Sequence, residues 1–501
     1  MNRAQKLLLA IDQGTTGSTA LLFGSDGTLR GRGYAEFPQH FPEPGWVEHD
    51  PEEIWQSVLK ALRQALRKAG AGSAGRVSAI GITNQRETAV LWDRTSGHPV
   101  GRAIVWQDRR TSGICDELRH SGYEEHVRHA TGLLLDPYFS ATKLTWRLRH
   151  DRPLRRRAER GEIAFGTVDS WLLWKLTKGR THATDYTNAS RTLLFHIDRR
   201  EWDPSLCDLF EVPAAMLPEV RDSSGEFGVT SEVPVLPNGI PILGVAGDQQ
   251  AALYGQGCVR PGESKNTYGT GAFLVRNLGG KRIVSQSGLL TTLACDAAGQ
   301  PVYALEGSVF IAGAVIQWLR DGLGIVSKAA DTDRLARQVP DSGGTVLIPA
   351  FVGLGAPYWR PEARGAWLGL TRGTTRAHLV RAALESIAFQ TLDVWDAMNR
   401  DAGQKPKSLR VDGGAAANDF LMQFQADLLG VPVERPRLLE TTALGAAALA
   451  ARAAGLWKGG SIPASAGRTE KRFLPRLDKR HRDEAAQRWR NAVAVLLGSS
   501  R

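Results

Sequence analysis

The chain has 501 residues, of which 42% are hydrophobic and 23% are charged, and its formal net charge is +11. A chain of this length exceeds what one hydrophobic core usually serves, so we expect two domains. The composition is typical of a globular protein and excludes intrinsic disorder. No apolar segment approaches the ~20 residues that cross a bilayer, so we expect no membrane insertion.

The cysteines indicate the compartment. They are far apart in the sequence and lack the spacing of metal ligands: Cys115, Cys207, Cys258 and Cys295. Free thiols fit a reducing cytoplasm. The short N-terminal apolar run is interrupted by Asp12, which argues against a signal peptide, so we expect a cytoplasmic protein.

Basic residues are densest at positions 147–160, RLRHDRPLRRRAER. Such a run is typical of a solvated helix face. Nucleic-acid binding through this run is the alternative, but no motif that reads DNA or RNA accompanies it. We therefore expect no nucleic-acid partner.

The segment 7–23, LLLAIDQGTTGSTALLF, is typical of a strand, a tight turn and a second strand. Its turn residues suit phosphate binding, because glycine removes the Cβ that blocks approach to backbone N–H groups: Gly14, Thr15, Thr16, Gly17, Ser18 and Thr19. Asp12 supplies a negative charge where the Mg²⁺ of a nucleotide would sit. An ordinary polar hairpin is the alternative interpretation of this segment taken alone.

A second copy of this pattern weakens that alternative. Residues 264–276, SKNTYGTGAFLVR, again predict strand, turn and strand, with Thr270 between two glycines. A further strand, predicted at 29–36, follows the first copy at 7–23, and the three strands together predict an antiparallel meander. Two such turns can hold a triphosphate from two sides.

Charged residues follow the apolar strand predicted at 77–83. Arg86 and Glu87 lie three and four residues beyond its end, where open α/β sheets place ligand groups. Arg offers a fork of donors and Glu an acceptor, which suits a small polyol. The alternative is a surface ion pair worth ~0–1 kcal/mol.

Two aromatic residues have two interpretations each. Trp106 ends the strand predicted at 103–106 and is either a core residue or an apolar wall against a substrate's CH₂ groups. Tyr138 lies in the loop 131–140, TGLLLDPYFS, and is either a loop anchor or a hydroxyl-binding group.

Residues 184–195 are interpreted as a polar turn before a strand.

The segment 242–257, ILGVAGDQQAALYGQG, predicts an apolar strand that runs into an alanine-rich helix. Asp248 and Gln249 begin that helix, so their polar groups lie at the mouth of the sheet. Gly247 before them permits close approach of a ligand. A plain helix cap by Asp248 is the alternative.

The C-terminal half contains further candidates for nucleotide binding. Residues 305–319, LEGSVFIAGAVIQWL, are predicted to form an apolar helix with Gly313 and Gln317 on one face. A glycine inside a helix costs ~1 kcal/mol, which close approach of a ligand or another helix would offset. Residues 409–433 predict strand, Gly-Gly turn, helix and strand, where Gly414 and Asn418 suit an adenine or ribose. Further helices are predicted at 51–69, 377–399, 441–453 and 482–497.

Seven strings, in this order, resemble the carbohydrate kinases of the FGGY type over nearly the whole chain. They are DQGTT (12–16), PGWVEHDP (44–51), GITNQRET (81–88), DPYFS (136–140), AGDQQAAL (246–253), NTYGTG (266–271) and VDGGAAAN (411–418). The resemblance implies an α/β fold of two RNase H-like (actin-like ATPase) domains with a catalytic cleft between them. Residues 1–255 would bind glycerol and carry the first phosphate hairpin, and residues 256–501 would bind the nucleotide.

The implied activity is ATP-dependent phosphorylation of glycerol to sn-glycerol 3-phosphate, the first step of glycerol catabolism, with Mg²⁺ and with Asp248 as general base. The implied metal-binding residues are Asp12 and Asp248. The implied glycerol-binding residues are Arg86, Glu87, Trp106, Tyr138, Asp248, Gln249 and Phe273. The implied nucleotide contacts are Thr15, Thr16, Gly17, Thr270, Gly313, Gln317, Gly414 and Asn418. A homodimer or homotetramer is expected.

The chain departs from the family at the first turn, since the family often has a serine and an arginine where this chain has Gly17 and Thr19. An expected cationic phosphate contact is therefore missing. Residues 231–242 lack the glycines and arginine of a fructose 1,6-bisphosphate loop, and residues 222–235 contain no histidine for phosphorylation. We expect neither control.

Two alternative functions belong to the same fold. One is phosphorylation of a longer sugar such as xylulose or gluconate; the pairing of Arg86 and Glu87 with the Trp106 and Phe273 walls favours a small polyol instead. The other is an actin-like protein that hydrolyses ATP to switch a partner or a filament. That protein would need no hydroxyl-binding residues.

Overall fold

A computed structural model describes residues 6–457 and 462–498 of the chain. Each half of the chain builds one main β-sheet with helices packed on it. The strands of the first half are β1 (Leu7–Gln13), β2 (Gly17–Gly24), β3 (Leu29–Glu36), β4 (Glu48–His49), β5 (Val77–Asn84), β6 (Val90–Asp93), β7 (Ala103–Ile104), β8 (Ile163–Gly166), β9 (Ala183–Asp185), β10 (Phe195–His196), β11 (Glu201–Trp202), β12 (Glu219–Arg221) and β13 (Ile242–Gly247). Its α-helices are α1 (Pro51–Lys68), α2 (Ser112–His120), α3 (Glu124–Thr131), α4 (Ser140–His150), α5 (Arg152–Glu159), α6 (Val168–Leu176), α7 (Tyr186–Ala189), α8 (Pro204–Leu209) and α9 (Asp248–Gly255).

The second half has a similar inventory. Its strands are β14 (Ser264–Tyr268), β15 (Ala272–Gly279), β16 (Leu290–Cys295), β17 (Pro301–Val309), β18 (Val346–Ile348), β19 (Ala366–Leu368), β20 (Leu409–Asp412), β21 (Val433–Pro436) and β22 (Thr469–Phe473). Its α-helices are α10 (Gly313–Gln317), α11 (Asp331–Ala336), α12 (Arg376–Ala402), α13 (Asp419–Leu429), α14 (Thr441–Ala453), α15 (Ala464–Gly467) and α16 (Lys479–Leu496). Short 3₁₀ turns cover Ala74–Arg76, Ala214–Met216 and Gly414–Ala417, and a π-helical turn covers Trp318–Gly322.

The two main sheets share one topology. The N-terminal sheet has the order β13-β5-β1-β2-β3, in which β1, β2 and β3 are antiparallel and β5 and β13 run parallel to β1. The C-terminal sheet contains β21-β20-β14-β15-β17 with the same directions, extended by β22 and β16 at its edges. The chain therefore repeats one α/β arrangement, as expected for two RNase H-like domains, and both predicted turn-and-strand hairpins are present.

The first strand is buried on both faces. Leu7, Leu9 and Ile11 face the core that α1 covers, whereas Leu8 and Ala10 face the core that α14 covers. Successive side chains of a strand point to opposite faces, so an uninterrupted apolar run suits a sheet with helices on both sides. This explains why the run that leads to the first turn is apolar throughout.

Helix α14 lies between β21 and β22 of the C-terminal sheet in the sequence but packs on the N-terminal sheet. A Cβ at Gly81 or at Gly244 would overlap the backbone of α14 at Ala446 or Ala450. Gly255 of α9 lies equally close to the backbone of the same helix. Glycine at these positions lets α14 lie directly against β5, β13 and α9, and so joins the two halves.

The prediction of a helix at 305–319 is wrong for the first part of that segment. Residues 305–309 belong to β17, which pairs antiparallel with β15 and β16. Only Gly313–Gln317 is α-helical, followed by the π-helical turn. A short apolar run shows no period that separates a buried strand from a buried helix, and here the neighbouring strands decide.

Other predicted helices agree closely with the structure. The side chain of Asp50 accepts a hydrogen bond from Glu52 N (2.8 Å) and caps α1, which was predicted to end one residue later, at Ala69. The predicted helices 377–399, 441–453 and 482–497 correspond to α12, α14 and α16. The basic run lies on α4 and α5.

The described cysteines are free thiols, and all of them are buried. Within residues 6–457 and 462–498, no helix is both long enough and apolar enough to cross a membrane.

Candidate active site

Three strands of the N-terminal sheet end at one edge. Asp12, at the end of β1, lies in register with Thr83 of β5, and Gly247 of β13 lies in register with Asn84. Because these strands are parallel, Asp12, Arg86 and Asp248 emerge on the same side of the sheet. Polar groups that were expected at separate strand ends therefore lie at one edge of the sheet.

The first turn is closed by a hydrogen bond from Gly14 N to Gly17 O (2.9 Å). Its Thr15 hydroxyl accepts a hydrogen bond from Trp106 Nε1 (2.9 Å), and its Thr15 carbonyl accepts one from Gln39 Nε2 (3.0 Å). Thr16 is exposed beside it. The turn is thus anchored by side chains while part of it stays open to a ligand.

The departure at Gly17 has a steric explanation. A Cβ at this position would lie 2.7 Å from the hydroxyl and 2.8 Å from two ring carbons of Tyr34 on the neighbouring strand. Thr19 pairs with the same Tyr34 in the register of β2 and β3. The tyrosine ring therefore lies where a serine side chain at position 17 would start.

The second turn is held by the start of α10. Gly313 N donates to Gly269 O (2.9 Å), and Ala312 N donates to Thr270 O (2.8 Å). A Cβ at Gly313 would lie 2.5 Å from Gly269 O, so this glycine serves close contact with the turn's backbone. The side chain of Thr270 is exposed.

Arg86 is the centre of the site, and it is 2% exposed. Its Nε lies 3.1 Å from Asp248 Oδ1 and 3.8 Å from Glu87 Oε1. Its Nη2 donates to the Tyr138 hydroxyl (3.5 Å), and its guanidinium carbon lies 6.0 Å from the ring centre of Phe273. One guanidinium therefore joins most of the residues assigned to glycerol.

Glu87 has a left-handed backbone, with φ at 61°, which is uncommon for a residue other than glycine. Its carbonyl accepts a hydrogen bond from Ser140 Oγ (2.9 Å), and its carboxylate accepts one from Arg191 Nε (2.7 Å). Burial raises the pKa of this carboxyl. The turn directs a buried acidic side chain towards Arg86.

Asp248 is the first residue of α9, and 31% of its side chain is exposed. Its Oδ1 accepts a hydrogen bond from Gln249 N (2.7 Å) as well as facing Arg86. The carboxylate is therefore held by one hydrogen bond and one ion pair, and it remains open to the cleft. The neighbouring Gln249 is buried, and its Oε1 accepts a hydrogen bond from Lys265 Nζ (2.5 Å).

The aromatic residues form a wall beside these polar groups. The ring centre of Trp106 lies 5.6 Å from that of Tyr138 and 6.5 Å from that of Phe273. Phe273 follows the second turn, whereas Thr15, the hydrogen-bond partner of Trp106, belongs to the first. Contacts therefore connect Thr15 of the first turn, through Trp106, to Phe273 in the strand that follows the second turn.

A cavity of 470 Å³ lies beside the second turn's helix. Gly414 and Asn418 line it with Ile316 of α10 and Ala330. The side chain of Asn418 caps α13 at Leu421 N (2.9 Å). Gln317, the last residue of α10, is exposed.

The cleft is electrostatically unusual around Asp12. Burial, with the nearby carboxylates of Asp248 and Glu440, raises the pKa of Asp12 to about 7. Among the described residues no group of three or more His, Cys, Asp or Glu side chains is arranged to hold a metal ion by itself. The carboxylates of Asp12 and Asp248 are enough for Mg²⁺, because that ion binds one or two carboxylates and completes its shell with water and phosphate.

Sequence reasoning missed three buried charged residues: Arg191, Lys265 and Glu306. Glu306 lies within the run that was predicted as a helix, and Arg191 within the segment interpreted as a polar turn. For Glu306 the available signal was a charge inside a largely apolar run, 304–309, ALEGSV. A buried charge of this kind requires a partner.

Comparisons with known proteins match both halves of the chain. Residues 7–255 match the N-terminal domain, and residues 264–454 the C-terminal domain, of the FGGY family of carbohydrate kinases. The chain is 58% identical over 494 residues to a glycerol kinase of Alkalilimnicola ehrlichii, covering 99% of each chain. It is 54% identical over 493 residues to glycerol kinase 2 of Thermotoga maritima, covering 98% of this chain and 99% of the relative.

Solved structures show the same fold. A Plasmodium falciparum glycerol kinase with ADP superposes with a TM-score of 0.91 at 34% identity, covering 98% of each chain. A xyloylose kinase of Brucella ovis superposes with a TM-score of 0.85 at 25% identity, covering 99% of this chain and 100% of the other. The fold is thus the two-domain actin-like ATPase fold with a cleft between the domains, and the chain belongs to the FGGY family of carbohydrate kinases.

Proposed function

We propose that the protein transfers the γ-phosphoryl group of ATP to a terminal hydroxyl of glycerol and releases sn-glycerol 3-phosphate and ADP. The relatives that are 54–58% identical are glycerol kinases, which supports this substrate. The observation that carries the proposal is the buried cluster around Arg86, beside the aromatic wall. The reaction would be the first step of glycerol catabolism.

Glycerol binding needs both donors and acceptors, because each hydroxyl is both. Arg86 and the amide of Gln249 supply donors, whereas Glu87 and Asp248 supply acceptors. Tyr138 adds a hydroxyl, and burial raises its pKa so that it stays protonated. Trp106 and Phe273 pack against the carbon chain, and their size favours a short polyol.

Asp248 acts as the general base in this proposal. Its carboxylate accepts the proton of the terminal hydroxyl while the hydroxyl oxygen forms a bond to the γ-phosphorus and the bond to ADP breaks. The hydrogen bond from Gln249 N and the ion pair with Arg86 hold the carboxylate in place, and its partial exposure leaves it accessible to the substrate. Alignment of two bound reactants supplies ~7–11 kcal/mol of the barrier reduction in such reactions.

The nucleotide lies across the C-terminal half in this proposal. Gly414 and Asn418 line the cavity that would take the adenosine, with Gly313 and Gln317 on the adjacent α10. The two turns, through Thr15, Thr16, Gly17 and Thr270, would contact the phosphates. Asp12 and Asp248 would hold Mg²⁺ through its water shell, and the ion would neutralise phosphate charge.

We further propose that residues 1–255 and 256–501 are the two domains. Closure of the cleft would exclude water and limit wasteful hydrolysis of ATP. The protein would act in the cytoplasm, as a homodimer or homotetramer. It would bind neither nucleic acid nor membrane.

A coupled assay of ADP release tests the proposal. We expect release that depends on glycerol and is much weaker with xylulose or gluconate as acceptor. Faster ADP release with a longer sugar would show that the longer sugar, and not glycerol, is the substrate. ATP hydrolysis that is equal with and without any acceptor, together with filament formation, would instead favour an actin-like switch.

A further inference from the structure

Two buried charged side chains of the C-terminal sheet reach the proposed substrate-binding residues of the N-terminal half. Lys265 belongs to β14 and Glu306 to β17, and both are 0% exposed. They contact Gln249 and Arg86 respectively. Because Gln249 and Arg86 are assigned to glycerol only by proposal, a role for Lys265 and Glu306 in substrate binding rests on the proposed function.

Glu306 holds the guanidinium of Arg86 by two hydrogen bonds. Arg86 Nη1 donates to Glu306 Oε2 (2.5 Å), and Nη2 donates to Oε1 (3.0 Å). A bidentate pair of this kind fixes the plane of the guanidinium as well as its position. With both terminal nitrogens fixed, the third nitrogen, Nε, stays 3.1 Å from Asp248 Oδ1.

Arg191 extends this pairing to the second charged residue of the site. Its Nη2 donates to Glu306 Oε1 (3.0 Å), and its Nε donates to Glu87 Oε1 (2.7 Å). One oxygen of Glu87 remains to accept from a substrate hydroxyl. Although burial raises the pKa of a carboxyl, the guanidinium groups of Arg191 and Arg86 lower that of Glu306 to about 2, so Glu306 stays charged.

Lys265 decides which end of the Gln249 amide faces the substrate. An ammonium group has only donors, so it must face the amide oxygen, and Lys265 Nζ does donate to Gln249 Oε1 (2.5 Å). The amide NH₂ of Gln249 is then left as a donor for a hydroxyl. Thr267 Oγ1 accepts a second hydrogen bond from the same ammonium (2.8 Å) and fixes its position.

We infer that Glu306 and Lys265 are positioning residues for substrate binding: each crosses from the C-terminal sheet and orients one hydroxyl-binding side chain of the N-terminal half. The polyol site is therefore complete only while the two sheets hold these contacts. The cluster of Arg86, Arg191, Glu87 and Glu306 is charge-balanced, and loss of Glu306 leaves one buried positive charge in excess.

Two variants test this inference through the separation of KM from kcat. Glu306→Gln keeps the shape of the side chain but removes its charge and one acceptor, and Lys265→Met keeps its length but removes the donor. We expect each to raise the KM for glycerol about tenfold or more, with the KM for ATP within about twofold and kcat within about threefold of wild type.

The matched control is Glu385→Gln. Glu385 pairs with Arg381 Nε (2.7 Å) on α12 and is also buried, but it contacts no residue of the polyol site. It is expected to lower the melting temperature while leaving the KM for glycerol unchanged. A general loss of stability cannot imitate the expected result in that comparison.

The outcomes separate this inference from the proposed function. If the wild type phosphorylates glycerol and a folded Glu306→Gln protein has an unchanged glycerol KM, Glu306 has no positioning role. An unchanged glycerol KM in Lys265→Met would show that Lys265 has no positioning role. If Glu306→Gln does not fold, the result for Lys265→Met alone tests the inference. A wild type without glycerol-dependent ADP release would overturn the proposed function itself and this inference with it.

Discussion

The indole Nε1 of Trp106 donates a hydrogen bond to the hydroxyl of Thr15 across 2.9 Å. One residue belongs to the aromatic wall of the polyol site and the other to the first phosphate turn. The contact therefore links the position of the wall to the position of the turn. In the proposed reaction these two groups flank the acceptor hydroxyl and the transferred phosphoryl group.

Replacement of Trp106 by Phe keeps an aromatic wall but removes this hydrogen bond. We expect the KM for both glycerol and ATP to rise and kcat/KM to fall about fivefold to tenfold, because a hydrogen bond of this kind is worth about 1 kcal/mol. Steady-state kinetics measure the change. Trp202→Phe is the control, since the indole of Trp202 donates to Pro218 O (2.8 Å) outside the site; equal losses in the two variants would refute the link.

Replacement of Asp248 by Asn tests the general base. We expect turnover to fall by ~10²–10⁴, because an amide cannot accept the proton of the hydroxyl. The fold should be retained, since an amide oxygen can still accept the hydrogen bond from Gln249 N and the side chain is partly exposed. Single-turnover phosphoryl transfer and a melting curve measure both effects, and near-normal turnover would exclude Asp248 from this role.

The residues at the turns and strand ends can be predicted from the sequence because their signals are local. Apolar runs that stop at glycine, threonine and charged residues mark a strand end, and the parallel strands β1, β5 and β13 then bring Asp12, Arg86 and Asp248 to one edge. No knowledge of distant contacts is needed for that inference.

The partners of those residues cannot be predicted in the same way. Glu306 meets Arg86 although 220 positions separate them in the chain, and no local pattern encodes such a pairing. The segment around Glu306 was also assigned to a helix, since its apolar run fits either structure until the neighbouring strands are known. Likewise, only the three-dimensional structure shows that α14 packs on the opposite sheet.

The two adjacent glycines of the turn after β20 should respond differently to substitution. Gly414 lines the proposed nucleotide cavity, and a Cβ there would meet nothing within 4 Å. Gly413 has φ at 84°, and its Cβ would lie 2.5 Å from Tyr268 O. We expect Gly414→Val to weaken ADP binding at least about tenfold with an unchanged melting temperature, because its side chain enters the cavity.

Gly413→Ala should instead lower the melting temperature, since alanine is strained in this backbone conformation and collides with the β14 backbone. Calorimetric titration with ADP and thermal unfolding of both variants distinguish the two effects. Normal ADP affinity in Gly414→Val would place the nucleotide elsewhere.

Stability at acid pH should depend on His49, which is fully buried between Gln39 and Gln85. Burial, with the nearby His40, lowers the pKa of His49 to about 3. The unfolded chain binds a proton at this histidine below about pH 6.5, but the folded chain does not until about pH 3, so stability falls as pH falls through this window. Between pH 6.5 and pH 5 this one group should lower the free energy of unfolding by about 2 kcal/mol.

Urea unfolding at pH 7.5 and pH 5 measures this decrease in the free energy of unfolding. The decrease should be smaller by that amount in His49→Gln and the same as in wild type in His120→Gln, whose histidine is exposed. An equal decrease in wild type and His49→Gln would show that His49 is protonated in the folded protein.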